Sequence, residues 1–445
     1  MKKIAVCAFV FLAAMVALTG CAKDSGKGSV YILQFKPEIA SQWEQAGKQY
    51  TAATGVQVKV VTAASGTYEQ TLRAEISKSA PPTLFQVNGP VGYQNWKDYT
   101  LDLKGTAWYS WLSDKSLAIT GDDGGVYAIP YTVEAYGIIY NDAILRRYFA
   151  LPGKAVGISS AAEITSFAVL KAVAEDIQKN KAALGVSGAF ASTSFAPGED
   201  WRWQTHLLDV PLYFEYRDKN ATSLAAIDFT YAPNYKNIFD LYINYAASEK
   251  PLLGNVTVDM SMAEFALGKA VFVQNGYWAW GQISSTQGNV VQAEDVKFLP
   301  IYIGAPGEEQ QGINIGTEAY WSINSRASKA NQDATIAFVE WLFNTPEGKA
   351  LAIGQFDYSV PLSTFTEADR ANVTNPLTRE MFRYLANGSL TSVSWVPQND
   401  IPGQDFKNEL GANLYQYALG TKAWDALVAE AKASWASEAG ALGRK

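Results

Sequence analysis

Cysteine, histidine and excess positive charge are what this 445-residue chain has least of. Its two cysteines are Cys7 and Cys21, so the body that follows has no disulfide option and must be held by core burial. A single histidine, His206, and no cysteine beyond position 21 argue against a zinc or copper site, and no cofactor or metal is expected. His206 lies between Thr205 and Leu207 in an apolar stretch and reads as a structural histidine whose ring is satisfied. Lys and Arg number 36 against 43 Asp and Glu, a net charge of −7, which leaves no electrostatic footprint for a phosphate backbone. Nucleic acid is therefore not an expected partner. There is also no internal repeat, low-complexity block or heptad run. Hydrophobic residues make up 48% and charged residues 18%, which predicts a globular body with a substantial core, divided by its length into two or three domains. Aromatics are in excess. Thirteen Trp and 24 Tyr supply rings with polar tips, the side chains suited to ligands with apolar faces and hydroxyl rims.

The N-terminus opens with Lys2 and Lys3, an apolar run from Ile4 to Leu18, then Leu18-Thr19-Gly20-Cys21. A charged start, a short apolar stretch and small residues before a cleavage site mark a secretory signal. The run falls short of the about 20 residues that a membrane span needs. The segment resembles a bacterial lipobox. That resemblance implies a lipoprotein signal peptide at 1–20 and lipid on the thiol and amino group of Cys21, enough acyl chains to anchor the body to a membrane. An ordinary cleaved signal with an incidental cysteine is the alternative. Residues 21–29, small and polar, read as a flexible tether.

Beyond the tether, apolar patterning predicts a strand at 30–33, a helix from Ile39 to Thr51 ending near Gly55, and a strand at 56–61. This βαβ start implies a parallel sheet. A helix at 68–79 follows, stopped by Pro81-Pro82, then strands at 83–87, 126–130 and 137–140. Helices are predicted at 166–181, 235–248, 331–344 and 424–438.

Four segments in order are similar to the maltose-binding-type extracellular solute-binding subunits of bacterial ABC importers. They are Gly55-Val56-Gln57-Val58; Ala128 to Asn141; Gly268-Lys269 with the strand leading to Asn275-Gly276-Tyr277-Trp278-Ala279-Trp280; and Ser322 to Lys329 with Ala337 to Leu342 and Pro346-Glu347-Gly348. The resemblance implies a periplasmic-binding-protein-like α/β fold of two discontinuous lobes, with the ligand cleft between them. The chain would cross the hinge three times, near Tyr131 to Ala135, Gly312 to Tyr320 and Phe356 to Leu362. The first lobe would comprise 30–131 with 317–360, and the second 135–312 with 362–445.

The same resemblance implies candidate ligand-binding residues. Glu134 falls where the family places a hinge carboxylate for sugar hydroxyls, and Trp278 where it stacks a ring on the sugar. Trp280 alternates with Trp278 on what reads as an extended segment, so the two could share a face, with Trp280 favoured as packing. Lys36 and Glu38 follow the first strand at the sheet edge where open α/β sheets bind ligands, although they could simply charge the next helix. Gln86 and Asn88 occupy the equivalent place after the third strand, where the family more often has an aromatic or an aspartate. Glu199 to Trp203 resembles a second-lobe loop supplying a carboxylate and an aromatic; Trp201 is the candidate, and one of its two tryptophans is expected in the core. Tyr320 at the second crossing and Trp395 near the last complete the set, each with packing as the alternative.

The implied function is that of a lipid-anchored subunit in the bacterial cell envelope, on the extracytoplasmic side. It would capture a carbohydrate, by its aromatics an oligosaccharide, close its lobes on it and deliver it to permease and ATPase partners. It would act as a monomer and do no chemistry. The alternatives are the same fold holding a polyol phosphate, a peptide or a metal chelate, or an envelope glycoside hydrolase, which needs a carboxylate pair that does not stand out here.

Overall fold

The structure, a computed structural model, describes residues 26–63, 65–196 and 198–444. The signal segment and Cys21 lie outside the described residues. Along the chain come β1 (Ser29–Gln34), β2 (Gln57–Thr62), β3 (Leu84–Asn88), β4 (Ile119–Thr120) and β5 (Val126–Pro130). Then follow β6 (Glu134–Asn141), β7 (Gly188–Phe190), β8 (Ala270–Gly276), β9 (Val296–Leu299), β10 (Gln311–Gly316), β11 (Ala319–Ile323) and β12 (Thr391–Ser394). They form two sheets. The first runs β2-β1-β3-β11-β5-β4; the second runs β12-β10-β6-β8-β7, with β9 paired to the far half of β6.

Neither sheet is wholly parallel, which corrects the expectation from the βαβ start. β1, β2 and β3 are parallel, but β11 enters between β3 and β5 antiparallel to both. That strand returns from β10 of the second sheet through residues 317–318, so nothing in its own sequence fixes its direction. In the second sheet β6 runs antiparallel to β8, β9 and β10. All eight residues of β6 are buried, as a strand covered on both faces requires.

Each lobe has its own core. In the first, Trp321 stacks on Tyr131 at 4.3 Å between ring centroids and meets Trp43 edge-on at 5.5 Å. The second sheet buries one cluster on each face, the larger holding Tyr136, Trp203 and Trp435, the smaller Phe265, Val273 and Met381. Local signals end and start the helices. Helix Ala40–Thr54 stops at Gly55, whose φ of 75° is left-handed and free of Cβ strain. Helix Lys329–Asn344 begins at Ser328, whose hydroxyl accepts the Asn331 N–H.

Three segments cross between the sheets. Residues 131–133 join β5 to β6, and 317–318 join β10 to β11. The third follows helix Pro346–Gly354 and is laced to the first: Val133 N–H donates to the Ser359 carbonyl, and Ser359 N–H donates to Thr132 Oγ1. The first core continues beyond Leu362 to Phe365 and Val373, whereas Leu377 and Met381 pack on the second sheet. Among the described residues no helix is long and apolar enough to cross a membrane.

Candidate functional site

Where the crossings meet the strand ends, a cavity of about 160 Å³ opens between the sheets. Its first wall comes from loops after the parallel strands: Phe35, Lys36 and Glu38 after β1, Gly66 and Glu69 after β2, Asn88 at the end of β3. Glu134 and Glu318 enter from two crossings. The opposite wall carries Asp200, Trp201, Arg202, Gln204, Thr205 and His206, together with Trp278 and Trp395. Gln404 and Lys407 close it from helix Gln404–Ala418.

The first wall is held by charge. Lys36 Nζ lies 2.5 Å from Glu134 Oε1, with both side chains almost fully buried. Burial works against the ammonium, yet Glu134, Glu38 and Glu318 together hold its pKa above the usual lysine value. Glu318 is pushed up by burial, as are Glu69 and Asp200, whereas Glu38 is exposed at the cavity rim. Glu69 accepts the Trp96 indole N–H at 2.9 Å. Carboxyls so placed favour any ligand that brings hydroxyl donors to them.

Aromatic rings dominate the opposite wall, and two of them rest on glycines. A Cβ at Gly276, the last residue of β8, would collide with the Trp278 indole; one at Gly316, the last of β10, would collide with Trp395. Trp278 and Trp201 are 6.1 Å apart between centroids, and Lys36 Nζ is 5.6 Å from the Trp278 ring. Arg202–Leu207 is a π-helical turn, a wide form that often marks functional sites, and it turns four of its first five residues to the cavity. Trp203, the exception, is in the core, stacked on Phe195 at 4.9 Å.

His206 differs from its expected role. Its ring stacks on Tyr136 at 4.0 Å and lines the cavity, and its Nδ1 has no hydrogen-bond partner among the described residues. Burial and the neighbouring Arg202 charge hold its pKa well below normal, so the imidazole is neutral. Beneath it, Tyr136 Oη donates to Asp209 Oδ2 at 2.9 Å, and burial raises that carboxyl from 3.8 to about 7.

Of the nine ligand-binding candidates, Lys36, Glu38, Asn88, Glu134, Trp201, Trp278 and Trp395 line this cavity. Gln86 and Tyr320 do not. Gln86 is fully buried within β3, where Tyr131 Oη donates to its Oε1 and its Nε2 donates to Asn88 Oδ1. Tyr320 packs into the first core from β11; the second crossing instead delivers Glu318, two residues earlier. Trp280 packs beside the smaller second-sheet cluster, and a helix begins at Ala279, so Trp278 and Trp280 do not alternate on a strand. Arg202, Gln204 and His206 were not among the candidates, because a π turn follows neither helical nor strand periodicity. Gln404 and Lys407 come from a distant helix that no local motif ties to the site.

Residues 45–374 match the model of a protein family described as bacterial extracellular solute-binding protein. A search of curated proteins finds no match. Among solved structures the chain resembles a chitin oligosaccharide binding protein (18% identity, 93% of this chain and 99% of that one, TM-score 0.69). It also resembles the solute-binding protein RafE in complex with raffinose (15%, 92% and 99%, 0.68). A third is a sugar transporter from Bacillus licheniformis in complex with stachyose (16%, 92% and 100%, 0.65). At these identities the likeness is one of fold: two α/β lobes and a cleft. The family match covers most of the sequence, and by it the chain belongs to the bacterial extracellular solute-binding proteins.

Proposed function

We propose that the protein captures an oligosaccharide in the cavity between its lobes, closes on it and delivers it to the permease of an ABC importer. The observation that carries this is the composition of the two walls: one rich in flat rings, the other rich in carboxyls. A sugar presents C–H patches that stack on rings and hydroxyls that donate to carboxylates, so this pairing suits it on both counts. The sugars named for three structures of similar fold favour the same reading. Binding without cleavage is the assigned activity, and the protein acts as a monomer tethered outside the cytoplasm through lipid on Cys21.

Closure needs a ligand that touches both lobes, since contacts equal in the open and closed forms shift nothing. The moving bodies in this proposal are 30–131 with 319–373 and 135–316 with 376–444. The proposal moves the last crossing beyond 360–362, supported by the packing of Phe365 and Val373 in the first core. A thermal-shift screen against neutral and acidic oligosaccharides, polyols, phosphorylated polyols and peptides tests the reading. Ligand at about 100 times its Kd adds roughly 2.7 kcal/mol of stability. A raised melting temperature with one oligosaccharide series is the expected result. A shift with peptides or polyol phosphates alone would transfer the function to that ligand class, and release of reducing sugar would make the protein a hydrolase. For the anchor, Cys21→Ala is expected to free the protein from membranes without changing affinity, read by fractionation and titration.

A further inference from the structure

Arg202 is 2% exposed, yet its guanidinium is hardly satisfied. Nη2 donates to Asn275 Oδ1 at 3.1 Å, and the cation lies 3.8 Å from the centroid of the Trp201 ring. Nε and Nη1 are buried with no hydrogen-bond partner among the described residues. Glu199, Glu38 and Asp259 act on the charge through space, but Arg202 forms no ion pair among the described residues. Burial pushes its pKa down to about 9, the sign of a cation whose desolvation the protein does not offset. A buried charge left without a partner is costly, and this one borders the cavity.

Two neighbours extend the pattern. His206 Nδ1 and Trp395 Nε1 are likewise buried without partners, and both residues line the same cavity. An indole nitrogen only donates, and a neutral imidazole carries one N–H that either ring nitrogen can hold. Arg202, His206 and Trp395 therefore set a fixed positive charge and unsatisfied ring nitrogens at the edge of this end of the cavity. The carboxyls are distributed differently: Glu134 is paired with Lys36, while Glu69 and Glu318 lie in the field of Lys407. Asp200 is bonded to Gln204, leaving Glu38 as the cavity carboxyl that shares the field of Arg202. A sugar hydroxyl could accept a hydrogen bond from Arg202 but would leave the charge uncompensated. An anionic oxygen supplies both.

Building on the carbohydrate reading above, we propose that Arg202 is a specificity-determining residue that pairs with an anionic oxygen group, so that the saccharide bound is acidic. The group is the carboxylate of a hexuronate unit or a sulfate ester. Its charge compensates the Arg202 guanidinium while the remaining hydroxyls of the ligand face the carboxyls and rings.

The test is calorimetric titration of the full chain with matched oligosaccharides: a hexuronate form, its carboxyl-reduced analogue, and a neutral form with and without an O-sulfate. The wild-type protein is expected to bind an acidic form at least tenfold more tightly than its neutral counterpart. Preference for the hexuronate over its reduced analogue, or for the sulfated over the unsulfated form, supports the proposal and identifies the source of the charge. Arg202→Met, which keeps the aliphatic volume, is expected to abolish the preference, and Arg202→Lys to restore part of it. If Arg202→Met does not fold, Arg202→Lys decides the matter: a preference reduced in that variant supports the proposal, and one as large as in the wild type overturns it. Equal affinity for acidic and neutral forms, or a preference that survives Arg202→Met, overturns the proposal and leaves carbohydrate binding standing. Binding of no saccharide of any class overturns both.

Discussion

The two walls of the cavity are built by different means. The first is a set of loops following parallel strands, and its polar groups are tied to one another: Lys36 to Glu134, Glu69 to Trp96, Asn88 to Gln86. The second is a π-helical turn and two glycine-seated tryptophans, with polar atoms of Arg202, His206 and Trp395 left without partners among the described residues. Groups already paired contribute mainly to the stability of the lobes and the hinge. Unpartnered donors and open ring faces are where a ligand gains binding energy. Most of the folding stability therefore rests on the first wall and most of the affinity on the second, while the first wall's free carboxyls supply the contacts that hold the lobes closed on a ligand.

The largest expected effect tests the first half of that assignment. Lys36→Met leaves Glu134 as a buried, unpaired carboxylate, and breaking such a pair from one side costs about 3–5 kcal/mol. Urea unfolding is expected to show that loss, and the double variant Lys36→Met with Glu134→Gln to recover most of it. A single variant as stable as the parent would remove the first wall's role. Next comes the seat of a ring. Gly276→Ala pushes the Trp278 indole from its position, and affinity for the proposed oligosaccharide ligand is expected to fall about tenfold, roughly 1.4 kcal/mol. Unchanged titration curves for this variant would mean that the ring is not a platform.

A smaller effect concerns the support behind the second wall. Asp209 has its pKa raised in the folded protein from 3.8 to about 7 by burial. Between these values the folded state holds more protons than the unfolded one, so this group's contribution is full below about pH 4 and is lost as pH rises through 7. Asp357, also raised to about 7 by burial, acts in the same direction. Asp209→Asn is expected to narrow the difference between urea midpoints at pH 5 and pH 8, and an unaltered difference would assign the slope to other groups. The smallest effect is a control. Tyr320→Phe, away from the cavity, should change affinity by less than about 0.5 kcal/mol.

Much of the fold was legible because periodicity and end signals are local. The strand expected at 126–130 is β5 residue for residue, and the helix expected to end near Gly55 stops there. What local patterns could not supply was direction and facing. β11 pairs with β3 some 230 residues earlier, with Trp321 opposite Gln86; that pairing takes Tyr320 into the sheet and leaves Glu318, in the crossing just before the strand, at the cavity. The motif around Asn275-Gly276 located Trp278, but a helix starting at Ala279 separates it from Trp280. His206 looked structural in its apolar surroundings, and part of that is true: it stacks on Tyr136. Its place at the cavity follows from the wider π turn, which sequence spacing does not encode.

The division of labour between the walls is tested most directly by titrating Trp278→Ala and Asn88→Ala, side by side, with the oligosaccharide that raises the melting temperature most. Trp278→Ala is expected to lose about 1–3 kcal/mol of binding free energy, as removal of a central aromatic anchor does, and Asn88→Ala less than about 0.5 kcal/mol. Equal losses, or a larger loss at Asn88, would contradict the account.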